Sequence, residues 1–239
     1  KLPARAIALI SHPKRSIRTL TEGRVRMHPD SEFVPDLLRG LRYGRDPDIR
    51  IRCARLLEDY PTTPEARAGL REALKDPSVT VCFRAAQSLA GQASKDEQEY
   101  VRDQILATEP SLELGYLIFS LLLQQESTGE LLVDDELFGI FRQLLGNDDI
   151  FLSGIAGSAV AEYVFRSDVE ENLDTLERSL PLVLVRAVGG VEFYPQFARF
   201  SPFAETSLRR ISGQDFGNRN RRAWIEWFTS NRETFQLVR

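Results

Sequence analysis

The sequence holds few of the residues that carry chemistry. Its two histidines, His12 and His28, each precede a proline, far from any Cys, Asp or Glu at a zinc-ligand spacing. Two cysteines, Cys53 and Cys82, are too few for a disulfide framework; both sit in helical segments, Cys53 where small apolar residues recur, and they read as buried thiols. There is no Gly-x-Ser-x-Gly elbow, no Walker loop and no dinucleotide fingerprint. Gly154 and Gly157 lie close together, but no Lys follows them and a helix accounts for both. No apolar run approaches the roughly 18 residues needed to cross a bilayer. The longest, 114–123, is broken by Gly115, Tyr116 and Ser120. A cytoplasmic location is favoured, with export left open because the chain opens on Lys1 rather than Met.

Lysine is also scarce, and arginine supplies nearly all of the positive charge. The net charge of −4 hides a segregation: residues 1–56 carry +7, residues 57–198 carry −15 and residues 199–239 carry +4. Such a division steers partners of opposite sign or pairs one copy with another. Apolar residues make up 42% and charged residues 28%, as in an ordinary folded protein.

What the sequence has is an internal repeat. Asp46-Pro47 precedes Ile49-Arg50, the small pair Cys53-Ala54 and Leu57. Asp76-Pro77 likewise precedes Val81, the small pair Ala85-Ala86 and Leu89. A third copy starts at Leu114 and a weaker fourth at Leu152, with Ala156-Gly157 as its small pair. A period of about thirty residues is one antiparallel helix pair with two turns, and such a pair cannot bury its apolar face alone. Small residues let neighbouring helices approach, and Pro ends one segment and sets the turn. First helices precede each copy: Leu37, Leu38 and Leu41 form one stripe closed by Gly44, and Thr63-Pro64-Glu65 opens the next.

On these residues the chain resembles the HEAT-repeat family, well over residues 30–165 and loosely beyond. The resemblance implies an all-α, right-handed α-solenoid of about five helical pairs with a C-terminal capping helix. It implies a scaffold more than a reaction. One domain is expected over 1–239, with 1–30 as an N-terminal extension, 31–165 as the clearest repeats, and 166–239 as an irregular last repeat and cap. The family's Arg after the β-branched position is present as Arg50, but Cys82, Gly115 and Ser153 stand there later, so an Asp–Arg ladder is incomplete. Ile118-Phe119 replaces the small pair in the third copy, so its helices should sit farther apart or tilt.

In the last third, residues 180–185 read as a helix that Gly189-Gly190 breaks, and Ser201-Pro202 opens another that Gly213 closes. Asn220 reads as the cap of a helix bearing Trp224, Trp227 and Phe228 on one face. This tail is similar to that of some bacterial HEAT-repeat proteins, with a Gly-Gln-x-Phe-Gly turn before a Trp-containing helix. A cap over the end of the stack is preferred to an aromatic ligand platform.

No catalytic, metal or cofactor residue emerges. Asp134-Asp135-Glu136 and Asp148-Asp149 read as helix starts rather than calcium loops. HEAT-like di-iron hydroxylases depend on His-Glu pairs that are missing here. HEAT-like alkylpurine DNA glycosylases are the enzyme alternative, through the patch Arg39, Arg42, Arg45, Arg50, Arg52 and Arg55 and a second at Arg219, Arg221 and Arg222. The acidic middle opposes a duplex there, and an internally paired Arg face is preferred. A regulator or lyase gripping a cofactor-bearing protein is a third reading, by fold analogy alone.

Candidate partner-binding residues come from stacking the copies. One line, Arg55, Gln87, Ser120 and Ser158, is polar and expected to face solvent. A second, Arg52, Arg84, Leu117 and Ile155, runs from cationic to apolar. Segment 114–123 is apolar nearly all round, and enclosure by its neighbours is preferred to an interface. A concave face that is basic near Arg52 and Arg84 and apolar near Leu117 suits an acidic and apolar protein segment, so a protein partner is expected and nucleic acid is not.

Overall fold

The computed structural model describes residues 8–27, 31–92, 94–130, 132–166, 180–181, 183–185, 187–188, 201–217, 220–231 and 233–236. Among them the protein is all-α, without a strand, and no helix is long and apolar enough to cross a membrane. The helices are α1 (Arg15–Met27), α2 (Val34–Tyr43), α3 (Pro47–Leu57), α4 (Pro64–Glu72), α5 (Val79–Gly91) and α6 (Lys95–Ala107). They continue with α7 (Leu112–Thr128), α8 (Asp135–Leu144), α9 (Ile150–Arg166), α10 (Ser201–Ser212) and α11 (Arg221–Asn231). The chain divides into two compact units, 1–101 with 126–128, and 102–125 with 129–239.

In the first unit, hairpin α2–α3 stacks on hairpin α4–α5, with α2 beside α4 and α3 beside α5. The Asp-Pro turns do the local work. Asp46 caps α3 by accepting from the Asp48 amide at 2.9 Å, with Pro47 as the first helical residue. Asp76 accepts from the Ser78 amide at 2.7 Å. Gly44 ends α2 at an ordinary negative φ rather than in a left-handed turn, and glycine suits the position because a Cβ there would meet the Gly40 carbonyl at 2.5 Å. The second helices α3 and α5 pack on one another, and the small-pair residues Cys53, Ala54, Ala85 and Ala86 are all 0% exposed. Burial pushes the Cys53 thiol up to about 12 and the Cys82 thiol up to about 11, so neither is a ready nucleophile.

Residues 1–30, expected as an extension, hold a further second helix. Helix α1 packs on α3, and Ile17, Thr21 and Val25 stand 32 residues before Ile49, Cys53 and Leu57. Thr21 and Val25 are buried as their counterparts are. Two sets of hydrogen bonds repeat with this register. Arg18 reaches back six residues to the His12 carbonyl at 2.8 Å, Arg50 to the Gly44 carbonyl at 2.7 Å, and the Cys82 thiol to the Asp76 carbonyl at 3.0 Å. Tyr60 donates to the Val25 carbonyl and Gln92 to the Leu57 carbonyl, each 35 residues back, tying every second helix to the end of the one before it. Cys82, standing where the second copy would carry arginine, therefore keeps the turn bond and drops the charge and the fork to the next repeat.

The Asp–Arg rung at Arg50 is bidentate. Arg50 Nε and Nη2 hold the two Asp76 oxygens at 2.8 and 2.9 Å, with both side chains about nine-tenths buried. The charge-assisted fork keeps the guanidinium above its usual pKa.

In the second unit, α8 and α10 both pack on α9. Ser111, Asp134 and Asp149 cap α7, α8 and α9 by accepting from Leu114, Leu137 and Leu152 amides, which places the acidic pairs at helix starts as expected. Glycine takes the arginine position of the third copy because the Phe151 ring lies across it; a Cβ on Gly115 would meet Phe151 Cε1 at 2.5 Å. Phe119, where a small residue was expected, packs edge-on against Phe203 of α10 with centroids 5.2 Å apart. The described residues of 180–188 are helical, while Gly189-Gly190 lies outside the described residues. Gly213 closes α10 at φ 66°, and Asn220 caps α11 by accepting from the Ala223 amide at 3.3 Å. Trp224 is 0% exposed and Phe228 is buried. Phe216 and Trp227 pack edge-on against Trp224 at centroid distances of 4.8 and 6.1 Å, and Phe235 lies edge-on to Trp227 at 5.7 Å, so the tail's aromatics pack on one another, with Phe216, Trp227 and Phe235 half-buried.

Two helical glycines should respond oppositely to one substitution. Gly115→Ala forces a Cβ into Phe151 and should cost about 1–3 kcal/mol. Gly139→Ala in α8 meets nothing within 4 Å and should gain about 0.5–1 kcal/mol from helix propensity. Chemical unfolding followed by circular dichroism reads both, and effects of the same sign would contradict this packing.

Arg50→Met should cost about 3–5 kcal/mol, because Asp76 stays buried without its counter-ion. Arg50→Lys should recover only part, since an ammonium cannot span two carboxylate oxygens and the Gly44 carbonyl. A loss below about 1 kcal/mol for Arg50→Met would show that the rung carries little.

Candidate functional site

The structure splits the eight candidate residues by unit. Arg52, Arg55, Arg84 and Gln87 lie on one face of α3 and α5 in the first unit, each half-buried. Leu117, Ser120, Ile155 and Ser158, in α7 and α9, are 2%, 0%, 0% and 1% exposed. This corrects the expectation that the line through Ser120 and Ser158 faces solvent. A helical serine can satisfy its hydroxyl inside the protein: Ser158 donates to the Gly154 carbonyl at 3.3 Å, and Ser120 accepts from Gln124 at 3.4 Å. Leu117 and Ile155 are core residues, so the second line is not a surface. Segment 114–123 is enclosed rather than left as an interface, with Leu114, Tyr116, Leu117, Ile118, Phe119, Leu121 and Leu122 all below 5% exposed.

The remaining face is a polar network. Glu22, on α1, bridges two arginines of the next second helix: Arg52 Nη1 donates to Oε1 at 2.9 Å and Arg55 Nη2 to Oε2. Glu22 stands one helix before Ala54 in register, so an acid replaces one member of a small pair and serves its neighbours. On the next step, Glu58 lies between Ser88, which donates at 3.5 Å, and the charge of Arg84. A Cβ on Gly91 would meet Glu58 Oε1 at 2.7 Å, so a larger residue there would have to displace that carboxylate. Arg26 and Asp59 pair at 3.3 Å on the same side.

The dense arginine patch is largely consumed by such pairs. Arg39 holds Asp36, Arg42 holds Glu72, Arg50 holds Asp76, and Arg52 and Arg55 share Glu22. Arg71 reaches the fully buried Glu97 at 2.5 Å and lies 3.4 Å from the centroid of the Tyr100 ring. Arg219 and the side chain of Arg221, in the second patch, lie outside the described residues; Arg222 pairs with Glu226 on its own helix. His12 Nδ1 accepts from the Lys14 amide at 3.0 Å, and His28 lies outside the described residues.

Burial pushes the Glu58 carboxyl above the usual carboxylate range and the Asp59 charge adds to it, while Arg84, Ser88 and Arg26 pull it back. The folded chain therefore holds this proton where the unfolded chain has lost it. Glu58's contribution to stability is fully present below the unfolded value near ~4.3 and is lost as pH rises through the raised folded value. Glu58→Gln should raise the melting temperature at neutral pH, and the gain should fade as the medium is acidified. A gain that is constant with pH, or that grows in acid, would contradict this.

No family model matches the chain, and no curated protein matches it. Among solved structures it is similar to the complex of CpcE and CpcF of phycocyanin lyase from Nostoc sp. PCC7120. The identity is 17% and the TM-score 0.41, over 95% of this chain and 94% of that chain.

Proposed function

We propose that the protein is a non-enzymatic interaction module, a scaffold or a subunit of a larger assembly, that docks a protein partner along the polar face of α3 and α5. The observation that supports this is the alignment of Arg52, Arg55, Arg84 and Gln87 at equivalent, half-exposed positions of adjacent second helices. Glu22 holds Arg52 and Arg55 in fixed geometry, so little side-chain freedom is lost when a partner engages them. Two arginines against one carboxylate leave that end of the face cationic. An arginine already bonded to a glutamate keeps further N–H donors for a partner's carboxylate or carbonyl. The face therefore suits a segment bearing acidic side chains and exposed backbone acceptors.

Charge reversal at both cationic positions tests this. The Arg52→Glu, Arg84→Glu variant should recover the partner taken from the source cell about tenfold less well than the parent. Gln87→Trp, which adds bulk without touching an ion pair, should weaken recovery in the same direction. Undiminished recovery by both variants, each with a parental circular-dichroism spectrum, would refute the assignment.

A further inference from the structure

The two carboxylates that reach the polar face of α3 and α5 are set differently. Glu22 of α1 reaches forward 30 and 33 residues, to Arg52 and Arg55, and bonds both. Glu58, at the C-terminal end of α3, reaches forward by the same two intervals, to Ser88 and Gly91. Yet Glu58 stands one helical turn beyond the 32-residue register of Glu22, at the position where α1 carries Arg26. The counterpart of Glu22 in register is Ala54, which is 0% exposed. The acid of the second step therefore lands a turn past Arg84 and Gln87, the counterparts of Arg52 and Arg55.

In that place a carboxylate is poorly held. Ser88, itself fully buried, donates to Oε2 at 3.5 Å, and Oε1 occupies the space that a side chain on Gly91 would need. Arg84 from α5 and Arg26 from α1 favour the anion, while Asp59, next in the chain, opposes it. Arg26 also pairs with Asp59 at 3.3 Å. Half-burial outweighs the two cations, so Glu58 keeps its proton to a higher pH than an exposed glutamate does.

We infer, on the basis of the docking role proposed for this face, that Glu58 is a proton-operated gate on Arg84. Ionised, it competes with a partner's carboxylate for the guanidinium; protonated, it yields the guanidinium to the partner. Docking of an acidic segment therefore takes up a proton. The linkage is reciprocal, because a carboxylate brought against Arg84 sets a second negative charge beside Glu58 and makes that proton harder to lose. Affinity rises as pH falls toward the Glu58 value, and declines again only where the partner's own carboxylates protonate, near ~4.

The test uses the full chain and a rhodamine-labelled octapeptide of alternating aspartate and alanine. Fluorescence anisotropy at fixed ionic strength reads binding between about pH 5 and about pH 8, a range in which aspartate stays ionised. The parent should bind at least about fivefold more tightly at the acid end. Glu58→Gln, which has the shape of the protonated form, should bind at the alkaline end as the parent does in acid, and its affinity should be level with pH. The histidines are common to both chains, so a pH dependence that survives in Glu58→Gln overturns the gate. Parental affinity that is level with pH, or that weakens in acid, overturns it too and leaves the docking role standing. A peptide that binds neither chain at any pH removes the docking role and the gate together. Binding to the Arg52→Glu, Arg84→Glu variant as tight as to the parent does the same.

Discussion

The bond from the start of a second helix back to the turn before it governs the first unit. A hairpin of two short helices cannot bury its oily face alone, so its neighbour must be held at a fixed distance and rotation. Arg18, Arg50 and Cys82 each spend a donor on a carbonyl six residues earlier, which fixes the angle at which the chain enters the helix. With that angle set, α3 and α5 pack together with Cys53-Ala54 and Ala85-Ala86 fully buried, and Tyr60 and Gln92 reach the carbonyls at the end of the previous helix. Arg50 does more, because its fork spans its own turn and the next repeat's Asp76 at once. One residue thereby joins local geometry to the stacking of hairpins.

The parts of the fold legible in the sequence were those whose cause is local. Asp46-Pro47 and Asp76-Pro77 announce turns through backbone restriction, and Asn220 and Gly213 announce a helix start and stop; each stands where expected. Helix α1 escaped notice because its small pair is Thr21-Glu22, and a glutamate there breaks the apolar pattern by which the repeat was found. The reason for that glutamate lies 30 and 33 residues away, in Arg52 and Arg55. No local window contains it. The spacing alone, 32 residues before Ile49, was the available signal.

The same limit explains the candidate site. Residue type suggested that a polar line faces water, but a serine in a helix can donate to its own backbone and sit in the core, as Ser158 does. Charge density along 39–55 pointed to an internally paired arginine face, but not to its partners, because the carboxylates that occupy it come from Glu22, Glu72 and Asp76 as well as from nearby Asp36. Counting charges in one stretch measures supply without demand. Where supply and demand are compared across a whole repeat, few of the cations are left for a partner.

Equivalent positions of the repeat are not all treated alike. In a repeat protein, each row of positions has a default set by its neighbours, and Leu56 and Ser88 give the default for one row as burial. Arg24 departs from it, on a helix whose other turns obey the pattern through Thr21 and Val25. On α1 the row reads Ile17, Leu20 and Arg24, with a leucine where Arg52 and Arg84 stand and an exposed arginine where Leu56 and Ser88 are buried, so the order of apolar and cationic side chains along the row is reversed. A repeat can thus hold its register through Thr21 and Val25 while the side chains on an adjoining row change freely.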